Sequence, residues 1–212
     1  MKLSQLIAGT EARQVSGPQA DPEISLVTCD SRQVRPGALF FALSGVNADG
    51  ARFARAAVEQ GAAAVVSGAP IEGLGAALGL QAANPRQAMA LAAAAIHRRP
   101  SRSMTMLGVT GTNGKTTTAY LAEAILAAAG EKPGVIGTVS YRFGGRELPA
   151  PNTTPESTLL QELLAQMRDA GTTAVAMEVS SHALAQERAH GIAFTSAAFT
   201  NLTRDHLDYH LD

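Results

Sequence analysis

One cysteine, Cys29, occurs in 212 residues, so no internal disulfide can form. A reducing, cytosolic setting fits that usage. Aromatic residues make up only 4% of the chain, and 17 basic residues meet 18 acidic ones for a net charge of −1. There is neither the basic stripe nor the aromatic series that nucleic-acid binding requires. No apolar run approaches the ~18 residues of a membrane span. The opening MKLSQLIAGTEAR has no apolar core of signal-peptide length. These absences lead to the expectation of a soluble, cytoplasmic protein with no nucleic-acid or membrane partner; oligomeric state is not legible. What is present is a 46% hydrophobic composition rich in alanine, which predicts a packed globular core. The length suits one large domain or two small ones.

The most informative stretch is LGVTGTNGKTTT, Leu107 to Thr118. An apolar run (Met104, Met106, Leu107, Val109) leads into a turn built on Gly111 and Gly114. Lys115 and Thr116 follow, then an alanine-rich helical pattern. Strand, glycine loop and helix start turn backbone N–H groups toward a phosphate chain. Lys115 then reaches the terminal phosphates, and the Thr116 hydroxyl suits a magnesium ion. The loop is a variant: the generic pattern has glycine four residues ahead of the GK pair, where this chain has Val109. The plainer alternative is a glycine-rich turn with a chance lysine, but strand and helix context agree with nucleoside triphosphate binding.

Two segments divide near His97–Ser101. Residues 85–98 read as a helix, with Asn84 as N-cap and Pro85 at its first position. In the first segment, Ile24–Cys29, Ala38–Leu43 and Ala62–Val66 read as strands and Arg52–Gln60 as a helix closing at Gly61. In the second, Thr116–Ala129 is helical and stops at Gly130. Val135–Tyr141 reads as a strand. Thr154-Pro155-Glu156 opens a helix whose Leu159, Leu160, Leu163, Leu164 and Met167 form one apolar stripe ending at Gly171. Thr173–Val179 and Ser196–Thr200 are further strands. Alternating strands and helices predict an α/β fold with mostly parallel sheets and helices on both faces.

Ligands of open α/β sheets sit beyond the carboxyl ends of the strands. One strand here runs into the phosphate loop. TTAVAMEVSSH ends in Glu178, Ser180, Ser181 and His182, and SAAFTNLTRDH in Asn201, Arg204, Asp205 and His206. If the three strands are neighbours, these groups converge. Thr116 and Glu178 are hard oxygen donors suited to a phosphate-bound magnesium; Glu178 as a helix cap or surface carboxylate is the alternative. Imidazole is a poor magnesium ligand, so chemistry alone leaves His206 as a supporting residue or a phosphate contact. His182 is open between a site role and a structural one. His97, His190 and His210 carry no signal.

TGTNGKTTT, NTTPES, MEVSSHAL and FTNLTRDHLDYH, in this order and spacing, resemble the Mur ligases. They look most like the members that add the third peptide residue. CDSRQVRPGALFFAL and GVNADG resemble the UDP-sugar domain of those ligases, so the resemblance spans essentially the whole chain. It implies an N-terminal UDP-sugar-binding domain at 1–98 and part of a P-loop-type central ATP-binding domain at 99–212. The implied reaction belongs to peptidoglycan precursor synthesis. ATP phosphorylates the D-glutamate side-chain carboxylate of UDP-N-acetylmuramoyl-L-alanyl-D-glutamate. A diamino acid (meso-diaminopimelate or L-lysine) then attacks the acyl phosphate, giving ADP and phosphate. Lysine and metal ions must offset the repulsion between carboxylate and triphosphate.

The resemblance also implies roles. Gly111, Thr112, Asn113, Gly114, Lys115, Thr116 and Thr117 would hold ATP, and Lys115 would contact the transferred phosphoryl group. Thr116 and Glu178 would bind one magnesium and His206 would help bind a second. Cys29, Ser31, Val46, Asn47 and Ala48 would line the uridine pocket. Asn152, Thr153, Thr154, Ser180, Gln186 and Arg188 would hold the muramoyl-dipeptide. In the family a carbamylated lysine follows the DHLDYH motif, and a C-terminal domain selects the incoming amino acid. Neither lies within these 212 residues. The expectation is therefore part of a ligase, inactive alone. A non-catalytic UDP-sugar- or nucleotide-binding module and an unrelated phosphate-loop kinase are the competing readings.

Overall fold

The computed structural model describes residues 1–45 and 49–210. They form two compact units, Met1–Ile96 and His97–Asp212. Both are α/β units with mostly parallel sheets, as the alternation of strands and helices implies.

In the first unit, helix α1 (Leu3–Ile7) precedes strands β1 (Arg13–Ser16), β2 (Leu26–Thr28) and β3 (Ala38–Ala42). Helix α2 (Ala54–Glu59), strands β4 (Ala62–Ser67) and β5 (Leu78–Gln81) and helix α3 (Pro85–Ile96) complete it. The sheet order is β1-β5-β4-β3-β2, with only β1 antiparallel. Strand β3 is buried throughout. Its Leu39 and Phe41 pack with Met89 and Ala92 of α3, and Ala38, Phe40 and Ala42 pack with Ala54 and Ala57 of α2. Strict alternation into two apolar layers is what a doubly covered strand requires. Strand β1 carries four exposed residues, so no periodic pattern announces it.

Asn84 caps α3 as expected: its Oδ1 accepts from the amides of Arg86 and Gln87 at 3.1 and 3.2 Å. The helix stops at Ile96, two residues sooner than the sequence suggests. Arg98 and Arg99 take φ of 60° and 48°, a left-handed exit that ends the helix. The helix expected over Arg52–Gln60 is α2 preceded by a 3-10 turn, Gly50–Phe53.

The second unit runs β6 (Thr105–Thr110), α4 (Lys115–Ala128), β7 (Pro133–Ile136), β8 (Ser140–Phe143), β9 (Arg146–Pro149), α5 (Ser157–Asp169) and β10 (Ala174–Glu178). Short α6 (Ser181–Ala185), β11 (Ser196–Phe199) and α7 (Leu207–His210) follow. The sheet order is β11-β6-β10-β7-β8-β9; the first four strands are parallel and the last two are an antiparallel hairpin. The single strand expected over Val135–Tyr141 is thus two strands. The chain reverses at Gly137–Val139, and Tyr141 pairs back on Ile136. Val175 and Met177 of β10 pack with Leu160, Leu163, Leu164 and Met167 of α5. Glu178 points to the opposite face, toward Thr116 of α4. Helices therefore cover both faces. Leu159 is half out of the α5 stripe, 38% exposed, whereas Leu160 and Leu164 are fully buried.

Candidate functional site

Strand β6 lies between β10 and β11, with Glu178 in register with Val109 and Phe199 with Thr110. The carboxyl ends of all three parallel strands therefore meet at one edge, and the polar residues after them converge.

The loop after β6 needs both its glycines. Gly111 has φ 126° and Gly114 φ 87°, which side chains rarely adopt. A Cβ on Gly111 would also lie 2.2 Å from Thr200 Oγ1 and 2.8 Å from the Asn201 carbonyl oxygen. This close approach is a clamp. Asn201 accepts from the Thr112 amide through its carbonyl oxygen (2.9 Å) and from the Asn113 amide through Oδ1 (3.1 Å). Its Nδ2 donates to the Asn113 carbonyl at 3.0 Å, as does Thr200 Oγ1 at 2.7 Å. Thr112 Oγ1 exchanges hydrogen bonds with the carbonyl and amide of Thr203. The amides of Thr112 and Asn113 are thus satisfied within the protein. Those of Lys115, Thr116 and Thr117 precede the first intrahelical bond of α4, Thr118 N–H to the Gly114 carbonyl at 2.9 Å, and form the anion-facing set. Lys115 Nζ donates to the carbonyls of Gly111 (2.7 Å) and Thr112 (3.0 Å), folded over the loop.

Glu178 is completely buried. A buried carboxylate needs donors, and three converge on it. Thr116 Oγ1 donates to Oε2 at 3.0 Å, the Thr138 amide to Oε1 at 3.0 Å, and the Thr138 hydroxyl to Oε2 at 3.1 Å. Gly137 leaves room for it: a Cβ there would sit 2.2 Å from Oε1. A carboxylate beside a helix-start hydroxyl is an oxygen pair that fits magnesium.

The segment before α5 is tied to the same strand end. Thr154 Oγ1, buried, donates to the Glu178 carbonyl and accepts from the Ser180 amide, each at 3.0 Å, so its hydroxyl is already used in the protein. Arg188 donates to the Thr154 carbonyl at 2.9 Å and pairs with Glu156 at 2.9 Å and Gln186 Oε1 at 2.7 Å. Gln186 Nε2 reaches the Tyr209 hydroxyl at 3.1 Å. Buried Tyr141 donates to the Asn152 carbonyl at 2.6 Å, and burial raises its phenol pKa above the usual value. Thr153 and Thr138 hydroxyls are 3.0 Å apart. Asn152, Thr153, Thr154, Ser180, Gln186 and Arg188 are accordingly brought together.

A hollow of about 660 Å³ opens beside the loop, lined by Gly111, Lys115, Ser180, Asp205 and His206 among others. His206 has φ 54° and lies edge-on to His182 at 4.5 Å between ring centroids. Its Nε2 is 3.6 Å from Asp205 Oδ2. Among the described residues no group of three or more His, Cys, Asp or Glu is placed to hold a metal. His206 thus shares the hollow with Lys115, while Thr116 and Glu178 are joined directly.

In the first unit, β2 and β3 are parallel neighbours, so Cys29 and Ser31 leave the same sheet edge as the chain after Ala42. Cys29 is half-buried, and Ser31 opens a 3-10 turn capped by Asp30. Arg32 donates to that carboxylate and holds its pKa below the usual range. Val46, Asn47 and Ala48 lie outside the described residues. Thr138, Tyr141 and Thr200 are site positions that sequence reasoning missed. The one available signal was Gly137-Thr138 directly after an apolar strand.

Two family models match this chain: the Mur ligase family catalytic domain over residues 23–99 and the Mur ligase middle domain over 109–212. The chain belongs to the Mur ligase family. UDP-N-acetylmuramoyl-L-alanyl-D-glutamate–2,6-diaminopimelate ligase of Geobacter metallireducens is 49% identical over all of this chain and 41% of its own length. That of Geobacter sulfurreducens is 51% identical over all of this chain and 42% of its own. This Mur ligase chain therefore spans about two-fifths of the relatives it matches. A solved structure of a ligase of the same name shares 32% identity over 88% of this chain and 38% of its own, with a TM-score of 0.74. The MurF ligase from Thermotoga maritima in complex with ADP, 21% identical over 88% of this chain and 40% of its own, has a TM-score of 0.59 and shares the fold. No helix among the described residues is long and apolar enough to cross a membrane.

Proposed function

We propose that this Mur ligase chain is the sugar-nucleotide and ATP-binding part of an ADP-forming ligase. The enzyme joins 2,6-diaminopimelate to the D-glutamate carboxylate of UDP-N-acetylmuramoyl-L-alanyl-D-glutamate. The observation that supports this best is the buried Glu178 carboxylate, hydrogen-bonded to Thr116 at the head of the phosphate-loop helix. The substrate name rests on the relatives that match the whole chain at 49–51% identity.

In this reading the amides of Lys115, Thr116 and Thr117 and the positive end of α4 hold the ATP phosphates. Lys115 turns from the Gly111 and Thr112 carbonyls to the transferred phosphoryl group. Thr116 and Glu178 would hold a magnesium ion, which would supply positive charge to offset the repulsion between phosphate and carboxylate. Asn152, Thr153, Ser180 and Gln186 orient the dipeptide, and Thr154 works as a strut beneath them. Arg188 supplies a fixed cation, held in place by Glu156. Cys29, Ser31 and residues 46–48 bind the uridine end. His206 contributes at the mouth of the hollow.

The test uses an enzyme of the relatives' length that carries this chain. ADP release requires the UDP-linked dipeptide and diaminopimelate together. Equal ADP release with the sugar substrate omitted contradicts the reading.

A further inference from the structure

The Thr138 hydroxyl has one proton and two oxygen neighbours, Glu178 Oε2 at 3.1 Å and Thr153 Oγ1 at 3.0 Å. A carboxylate only accepts. The Thr138 proton therefore goes to Glu178, and Thr153 has to donate its own proton to Thr138. Thr153, only partly buried, is left with lone pairs alone to offer a ligand. The Thr138 amide, donating to Oε1 at 3.0 Å, fixes the carboxylate's other oxygen. Gly137 supplies the space that lets this turn approach Glu178.

Resting on the magnesium and dipeptide roles above, we propose that Thr138 is a positioning residue with two linked effects. It orients Glu178 toward the metal. It also makes Thr153 an obligate hydrogen-bond acceptor, which selects an amide N–H of the peptide substrate and disfavours a carboxylate or carbonyl at that point. One hydroxyl thereby couples the metal side of the cleft to the peptide side.

The experiment compares wild type, Thr138→Val and Thr138→Ser in the 212-residue chain. Calorimetry measures ADP affinity with magnesium and with chelator. Valine keeps the β-branched shape and the backbone amide but loses the hydroxyl. The magnesium-dependent gain in ADP affinity should fall roughly ten- to hundredfold, the worth of one hydrogen bond to a charged group. Metal-free ADP affinity should stay unchanged, and serine should restore the gain. A valine variant with the full magnesium gain overturns the proposal, as does equal loss with and without metal. A ligand-free readout separates this proposal from the ligase reading. The Thr138 amide proton should resonate downfield and resist exchange, and Glu178→Gln should abolish the downfield shift. If that signature is missing while wild type binds magnesium-ADP, the positioning proposal falls alone. If the signature is present and wild type binds no magnesium-ADP, the nucleotide reading falls instead, and the metal half of this proposal with it.

Discussion

Asn201→Leu tests whether the phosphate loop is held from the neighbouring strand. The substitution keeps the γ-branched shape but removes two hydrogen bonds, from the Asn113 amide at 3.1 Å and to the Asn113 carbonyl at 3.0 Å. The backbone bond from the Thr112 amide to the Asn201 carbonyl remains. Neutral hydrogen bonds contribute about 0.5–1.5 kcal/mol each, and this pair is partly open to water, so about 1–2 kcal/mol is lost in total. The loop must be re-ordered when a nucleotide binds, so that loss should reappear as roughly 5- to 30-fold weaker ADP affinity. Calorimetry on the folded variant measures it, with circular dichroism as the check on folding. Asn201→Asp keeps the acceptor, loses the donor and adds a negative charge near the phosphates. Its ADP affinity should drop further than its thermal stability does. A folded Asn201→Leu that binds ADP within about twofold of wild type would refute the clamp.

Lys115→Ala should weaken binding of a non-hydrolysable ATP analogue about ten- to hundredfold, the worth of charge-assisted hydrogen bonds to phosphate, measured by calorimetry. Gly137→Ala places a Cβ 2.2 Å from Glu178 Oε1, so it should diminish the magnesium dependence of ADP binding while leaving the metal-free affinity near wild type. Leu164→Ala empties a fully buried position and should cost about 2–5 kcal/mol in denaturant unfolding. Leu159→Ala, one residue from the buried row, should cost less than about 0.5 kcal/mol. Burial lowers the His97 imidazole pKa below 6.5, so the folded state favours the neutral ring. Its stabilising effect is complete above 6.5 and is lost as pH falls toward the depressed value. The melting temperature should decline across that window, and His97→Gln should flatten the decline. The carboxylates lowered by Arg32 and Arg168, Asp30 and Asp169, act only below about 3.8.

Where the sequence carried a short-range physical signal, the structure agrees with it. Asn84-Pro85 announced a capped helix, Gly130 and Gly171 ended α4 and α5 with φ of 87° and 80°, and ALFFA announced a strand, which the structure buries on both faces. The phosphate loop was legible because strand, glycines and helix start are contiguous. The order β11-β6-β10 was not, since it depends on pairing between residues some 70 to 90 positions apart. The hairpin β8–β9 escaped because Val135–Tyr141 reads as one apolar run, although Gly137 breaks it. Strand β1 is exposed at every position and gave no alternation to read. Leu159 shows the limit of a stripe: its spacing matches its neighbours, but the helix turns it out of the core. At the site, motif residues were legible by type, whereas Thr138, Tyr141 and Thr200 act through hydrogen bonds to distant segments that no spacing rule predicts. Thr154 illustrates the reverse, a motif residue whose buried hydroxyl is used up inside the protein.

The most direct measurement is an anomalous difference map from crystals of this chain grown with manganese and ADP. One strong peak should lie between the ADP phosphates, Thr116 Oγ1 and the Glu178 carboxylate, with the β-phosphate against the amides of Lys115 to Thr117. A peak elsewhere, or ADP bound away from the loop at 111–117, would contradict the account.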